Sequence, residues 1–100
     1  MRKLNAEYKL GKDYRELFTV SVSTLKGIVT DVGITNDGLL LYIIGTEFNI
    51  GSGYWVQEEF YEISKAELRD YLNKARMNGR IDEAIMQGRT SEEELEKLSK

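Results

Sequence analysis

An α+β fold is predicted for this chain: an N-terminal antiparallel sheet or partly open barrel of about four to five strands, followed by two or three C-terminal helices. Three observations predict it. β-branched and aromatic residues alternate with polar ones up to about Ser64, and seven of the nine glycines lie in that half. Beyond Ser64, Ala, Leu, Glu, Lys and Arg recur at helical spacing. No Pro-, Ser- or Gly-rich linker parts the halves, so residues 1–63 and 64–100 are read as the β and helical parts of one domain.

The elements follow in order. Leu4–Leu10 suits a weak first strand and Asp13–Leu17 a turn of helix. Phe18, Val20 and Val22 alternate with Thr19, Ser21 and Ser23, the period of a half-buried strand. Ile28, Thr30, Val32 and Ile34 form a second alternating set. Asn36-Asp37-Gly38 then supplies the positive φ angles of a tight hairpin. Leu39–Ile44 is apolar on both faces, as a central strand is. Gly51-Ser52-Gly53 marks a further turn, and Tyr54–Phe60 returns. Ser64-Lys65-Ala66-Glu67 is a capping box opening a helix to about Asn78, with Gly79 free to end it in the left-handed region. Ile81, Ala84 and Ile85 suit a short second helix ending at Gly88. Thr90 and Ser91 open a third segment with few apolar residues, Leu95 and Leu98, expected to dock on the surface, fray or meet another copy.

Composition excludes much chemistry. Among 100 residues there is no cysteine and no histidine. Disulfides, thiol and Ser-His-Asp nucleophiles and ordinary structural zinc sites are therefore excluded. Carboxylates alone suit Mg²⁺ or Ca²⁺, but no EF-hand spacing occurs, and neither metal nor cofactor is expected. The net charge of −3 opposes nucleic acid and anionic membrane as partners. No apolar run reaches membrane-spanning or signal-peptide length, and the absence of cysteine fits the cytoplasm.

Charge is unevenly spread: residues 1–63 sum to −3, residues 64–89 to +2 and the stretch from Thr90 onward to −2. Within the basic part, Lys65, Arg69, Asn73, Arg76 and Arg80 fall in a stripe roughly 80° wide at about 100° per residue. Leu68, Tyr71, Leu72 and Ala75 point about 120° from its centre. Guanidinium forks bind phosphate in pairs, and an amide reads a base or ribose. Arg69, Asn73, Arg76 and Arg80 are thus candidates to hold a small anion such as a nucleotide. The competing reading is a solvated face partnered by Glu67, Asp70 and acidic residues of the sheet. Alternation also sets Trp55 and Tyr61 on one face of the last strand, apart from Val56 and Phe60. There they could form an aromatic wall, unless the helices bury both rings. Glu58, Glu59 and Glu62 offer carboxylates, but Glu58 and Glu59 point opposite ways on a strand and cannot act together. Gly51-Ser52-Gly53 lacks the lysine and the following helix of a phosphate loop. No catalytic constellation is present, and the chain is read as a non-enzymatic binding protein.

Two resemblances add expectations. Lys26-Gly-Ile-Val-Thr-Asp-Val, Asp37-Gly38 and Tyr54-Trp55-Val56-Gln57-Glu58-Glu59-Phe60 resemble the strands of an SH3-like small barrel of the Tudor or KOW kind, over residues 14–63. That resemblance implies a module binding a protein by a sheet face or edge. The whole layout, sheet then helices with a cationic helix face, is similar to the phage-encoded Thoeris anti-defence sponge proteins. It implies sequestration of a nucleotide signal between subunits of a homo-oligomer in the host cytoplasm, and it assigns no residue by position. Two functions follow: a phage or mobile-element protein capturing an anionic nucleotide, or an interaction module or direct inhibitor that binds a host protein.

Overall fold

In a computed structural model the chain forms five strands and then three helices, in the order β1 (Arg2–Leu4), β2 (Tyr14–Ser23), β3 (Ile28–Thr35), β4 (Leu40–Ile50), β5 (Gly53–Glu62), α1 (Lys65–Met77), α2 (Arg80–Met86) and α3 (Glu92–Leu98). The structure describes residues 1–50 and 53–100, the side chains of Asn49, Ile50 and Tyr54 excepted. The α+β class is as the sequence predicts. All strand pairs are antiparallel, in the order β1-β5-β4-β3-β2, and β1 and β2 are edges that do not meet. The sheet is therefore open, and no barrel closes.

β4 lies at the centre because its apolar run serves two layers. Its Leu40 and Tyr42 pack toward the helices, beside Phe18, Val32, Leu68 and Leu72. Its Leu41 and Ile43 pack on the opposite face with Tyr14 and Phe60, under Leu4 and Tyr8 of the N-terminal segment. Helices cover one face and residues 4–8 part of the other, which removes the apolar centre of the sheet from water on both sides.

β2 departs from simple alternation. Its pairing with β3 slips between Glu16 and Phe18 and again between Thr19 and Ser21. Each bulge adds a residue and changes which face the next one meets. Leu17 and Phe18, adjacent in sequence, thereby enter the same helix-side core, together with Val20. Val22, grouped with Phe18 and Val20 by sequence period, is exposed instead.

Other expectations change in detail. The first strand stops at Leu4. Residues 9–13 make a turn, with the Lys9 amide donating to the Asp13 carboxylate at 2.8 Å. Asp13–Leu17 is not helical, because Tyr14–Leu17 already belongs to β2. In the loop Asn36-Asp37-Gly38 only Gly38 takes a positive φ, +92°. That makes a three-residue hairpin, closed by the Gly38 amide on the Thr35 carbonyl at 3.0 Å and the Thr35 amide on the Leu39 carbonyl at 2.9 Å. Of the expected turn Gly51-Ser52-Gly53, the first two residues lie outside the described ones and Gly53 opens β5.

The helical half forms as its caps dictate. The Glu67 amide donates to the Ser64 hydroxyl at 3.1 Å and the Ser64 amide to the Glu67 carboxylate at 3.0 Å. Asn78 caps α1, and Gly79, at φ +73°, turns the chain into α2. Ser91 caps α3 through the Glu94 amide. α3 docks through Leu95, which is fully buried against the core shared with Ile81 and Ala84. Among the described residues no helix is long and apolar enough to cross a membrane.

Candidate functional site

The break at Gly79 decides the fate of the basic stripe. Arg80 is the first residue of α2, so it does not continue the row on α1. It pairs with Glu83 of its own helix at 3.3 Å. The rest of the stripe faces α3. Lys65 Nζ donates to the main-chain oxygen of Lys100, and Arg69 donates to that of Ser99 at 2.6 Å. Arg76 grips Glu92 with both guanidinium arms, at 2.9 and 2.7 Å. The hydrogen bonds from Arg76 hold the Glu92 carboxyl below its ordinary pKa and raise that of the guanidinium. Asn73 lies exposed between them. The partners of the stripe are thus not Glu67 and Asp70: Lys65, Arg69 and Arg76 seat α3 and the residues that follow it. Cations at the C-terminal end of α3 also suit its dipole, since unbonded carbonyls collect there.

A second cationic tie joins the segment between α2 and α3 to the sheet. Arg89 donates to Glu16 at 2.9 Å, to Asp31 at 3.4 Å and to the Thr19 hydroxyl at 3.2 Å. Thr19 itself donates to Asp31 at 2.6 Å. Burial and the nearby Asp31 push the Glu16 carboxyl up, opposed by Arg89. Arg15 donates to Glu94 at 3.1 Å and to the Arg89 carbonyl at 3.2 Å, and it holds the Glu94 carboxyl below its ordinary value. The sequence reading did not single out Arg89, Arg15, Glu16 or Asp31. Arg89 lies 58, 73 and 74 residues from Asp31, Glu16 and Arg15, a juxtaposition with no local period. This cluster fastens helices to sheet.

The carboxylates of β5 go to separate partners. Glu58 accepts from the Tyr14 hydroxyl at 3.3 Å, Glu59 from the Tyr61 hydroxyl at 2.8 Å, and Glu62 pairs with Arg2 at 3.0 Å. Burial and Glu58 push the Tyr14 phenol well above its ordinary value, and Glu59 raises that of Tyr61. Among the described residues no group of three acidic side chains is gathered for a metal.

The aromatic pair also separates. Trp55 and Tyr61 share a face, with Phe48 and Tyr42 as their cross-strand partners. Six residues of strand put them about 20 Å apart. Tyr61 is half-buried, whereas Trp55 is 61% exposed. The ring that the helices engage is Tyr42, stacked on Tyr71 with centroids 4.4 Å apart.

Trp55 stands instead on a projecting arm. β3 pairs with β4 only as far as Thr46, and β1 pairs with β5 only from Phe60 to Glu62. Beyond those points β4 and β5 continue as a two-stranded ribbon. Among its described side chains, Phe48 at 40%, Val56 at 53% and Trp55 are the exposed apolar ones. Between the arm and the N-terminal segment lies an open cleft of about 790 Å³, lined by Glu7, Tyr8, Lys9, Phe48, Trp55 and Val56 among others. No residue of α1 lines it. Its floor is fixed by Tyr8, whose ring meets Phe60 edge-on at 5.2 Å.

Of the residues singled out from sequence, the structure therefore brings Trp55 to an accessible apolar surface. It places Tyr61 beside Glu59, engages Arg69 and Arg76 with α3, gives Arg80 to α2 and leaves Asn73 exposed on α1. No protein family, no curated protein and no solved structure matches this chain.

Proposed function

We propose that this protein is a non-enzymatic interaction module that binds another protein through the β4–β5 arm. The observation that carries the reading is the arm itself: a ribbon beyond the supported sheet, with Trp55, Phe48 and Val56 in water beside a cleft. Large apolar rings are costly to leave in water, and exposed aromatic clusters mark interaction surfaces. Tryptophan is also the residue type most enriched among those that dominate binding energy. The cations that could capture a nucleotide serve α3, which weighs against anion sequestration as the activity.

The test is affinity capture from a lysate of the protein's native cells, in parallel with a melting-temperature screen of cyclic and linear nucleotides. The reading predicts one protein retained by the wild type and by Arg76→Ala and lost with Trp55→Ala. It also predicts that no nucleotide raises the melting temperature, because a bound ligand must stabilise the fold by mass action. A nucleotide-induced rise that Arg76→Ala removes would replace this reading with anion capture.

A further inference from the structure

We infer that the open edge of β5, from Gly53 to Glu59, takes up an extended, basic segment of the partner as an added antiparallel or parallel strand. The inference rests on the interaction reading above and specifies its chemistry.

The two edges of the sheet are treated differently. β2 carries two bulges, and the helices pack beside it. Both devices obstruct strand addition. β5 has neither along this stretch. Its register with β4 runs without a slip from Leu41↔Glu62 to Ile50↔Gly53. Among the described residues no strand pairs with its outer side before Phe60, where β1 begins. After Leu4 the chain leaves the edge and crosses the sheet face, where Tyr8 packs on Phe60. An unbroken strand thus offers a row of main-chain donors and acceptors over about 20 Å. Strand addition uses such a row for affinity and flanking side-chain pockets for specificity. Here the pocket is the cleft of about 790 Å³ between Tyr8 and the arm.

Charge selects the occupant. Glu58 and Glu59 lie on the edge strand itself, Glu47 faces Val56 across the ribbon, and Glu7 lines the cleft. Lys9 is the cation that lines it. The hydroxyls of Tyr14 and Tyr61 hydrogen-bond to Glu58 and Glu59 without neutralising them. A segment with lysine or arginine among β-branched or aromatic residues complements both the carboxylates and the exposed Trp55 and Val56.

The experiment pans a randomised displayed-peptide library against the full chain, then synthesises the consensus peptide. The expected consensus is proline-free, with an apolar pair to meet Trp55 and Val56 next to a basic pair to meet Glu58 and Glu59. The peptide should shift the emission of Trp55, the single tryptophan. N-methylation of its alternate main-chain nitrogens should weaken binding about tenfold or more in one register and little in the other. Glu58→Lys with Glu59→Lys should weaken it similarly; peptide methylation leaves the protein untouched and so decides the matter if that variant misfolds. An acidic, helical or proline-rich consensus, no enrichment, indifference to methylation, or a dimer pairing through β5 would each overturn the inference. Indifference to methylation with capture still lost in Trp55→Ala would leave the interaction reading intact. Capture independent of Trp55 would remove both.

Discussion

At the residue scale, Gly33 shows how a bulge dictates identity. A Cβ there would lie 2.9 Å from the Arg15 carbonyl oxygen and 3.1 Å from both Ile43 and Tyr14. Its cross-strand partner is Glu16, where β2 slips its register. The nearest obstacle is backbone, which cannot rotate away. Gly33→Ala should therefore destabilise the protein by about 1–3 kcal/mol, measured by denaturant unfolding. Trp55 is the opposite case. Exposed on the arm, it supports little of the fold, and Trp55→Ala should change stability by less than about 0.5 kcal/mol while removing partner binding. Trp55 was legible because alternation sets it apart from Val56 and Phe60. Arg76 was legible as a cation on a helix face, but its ligand was not. Glu92 lies 16 residues on, and only the path of the chain through α2 brings it back.

At the element scale, the question is what holds α3. The ion pairs that tie it to α1 and β2, Arg76–Glu92 and Arg15–Glu94, are exposed or partly exposed. Such pairs contribute at most about 1 kcal/mol each, so Arg76→Ala should be mild. Leu95 is fully buried, and Leu95→Ala should cost about 2–5 kcal/mol. Equal losses from the two substitutions, compared by thermal unfolding, would contradict this ranking. Acid should loosen the docking. Glu92 and Glu94 titrate lower when folded, by hydrogen bonds from Arg76 and Arg15. The stability they add is present above the ordinary glutamate value of about 4.3 and is lost as pH falls through their folded values. Glu16 shifts the other way, so its protonation offsets part of the loss. The α3 amide chemical shifts should move toward disordered values below about pH 4, and less so in Glu92→Gln. The helices and their caps were readable because helical signals are local. The bulges of β2 and the short β1 were not, because both depend on what the sheet pairs with.

At the scale of the whole molecule, an extent of 45 × 28 × 23 Å reflects a supported sheet with a ribbon reaching past it. The α+β class and the central place of β4 were readable from periodicity. The choice between an open sheet and a barrel was not, since it turns on whether β1 and β2 meet. The functional contrast has the same origin. A cationic row on a helix reads equally as a ligand site or as a seat for another element, and the fold assigns it to α3. The arm keeps Trp55, Phe48 and Val56 exposed together beside a cleft. The most direct test is to titrate the captured partner into the protein and follow emission from Trp55. Binding through the arm predicts a blue shift that saturates with complex formation and is unchanged in Arg76→Ala. Saturated binding with unshifted emission would contradict it.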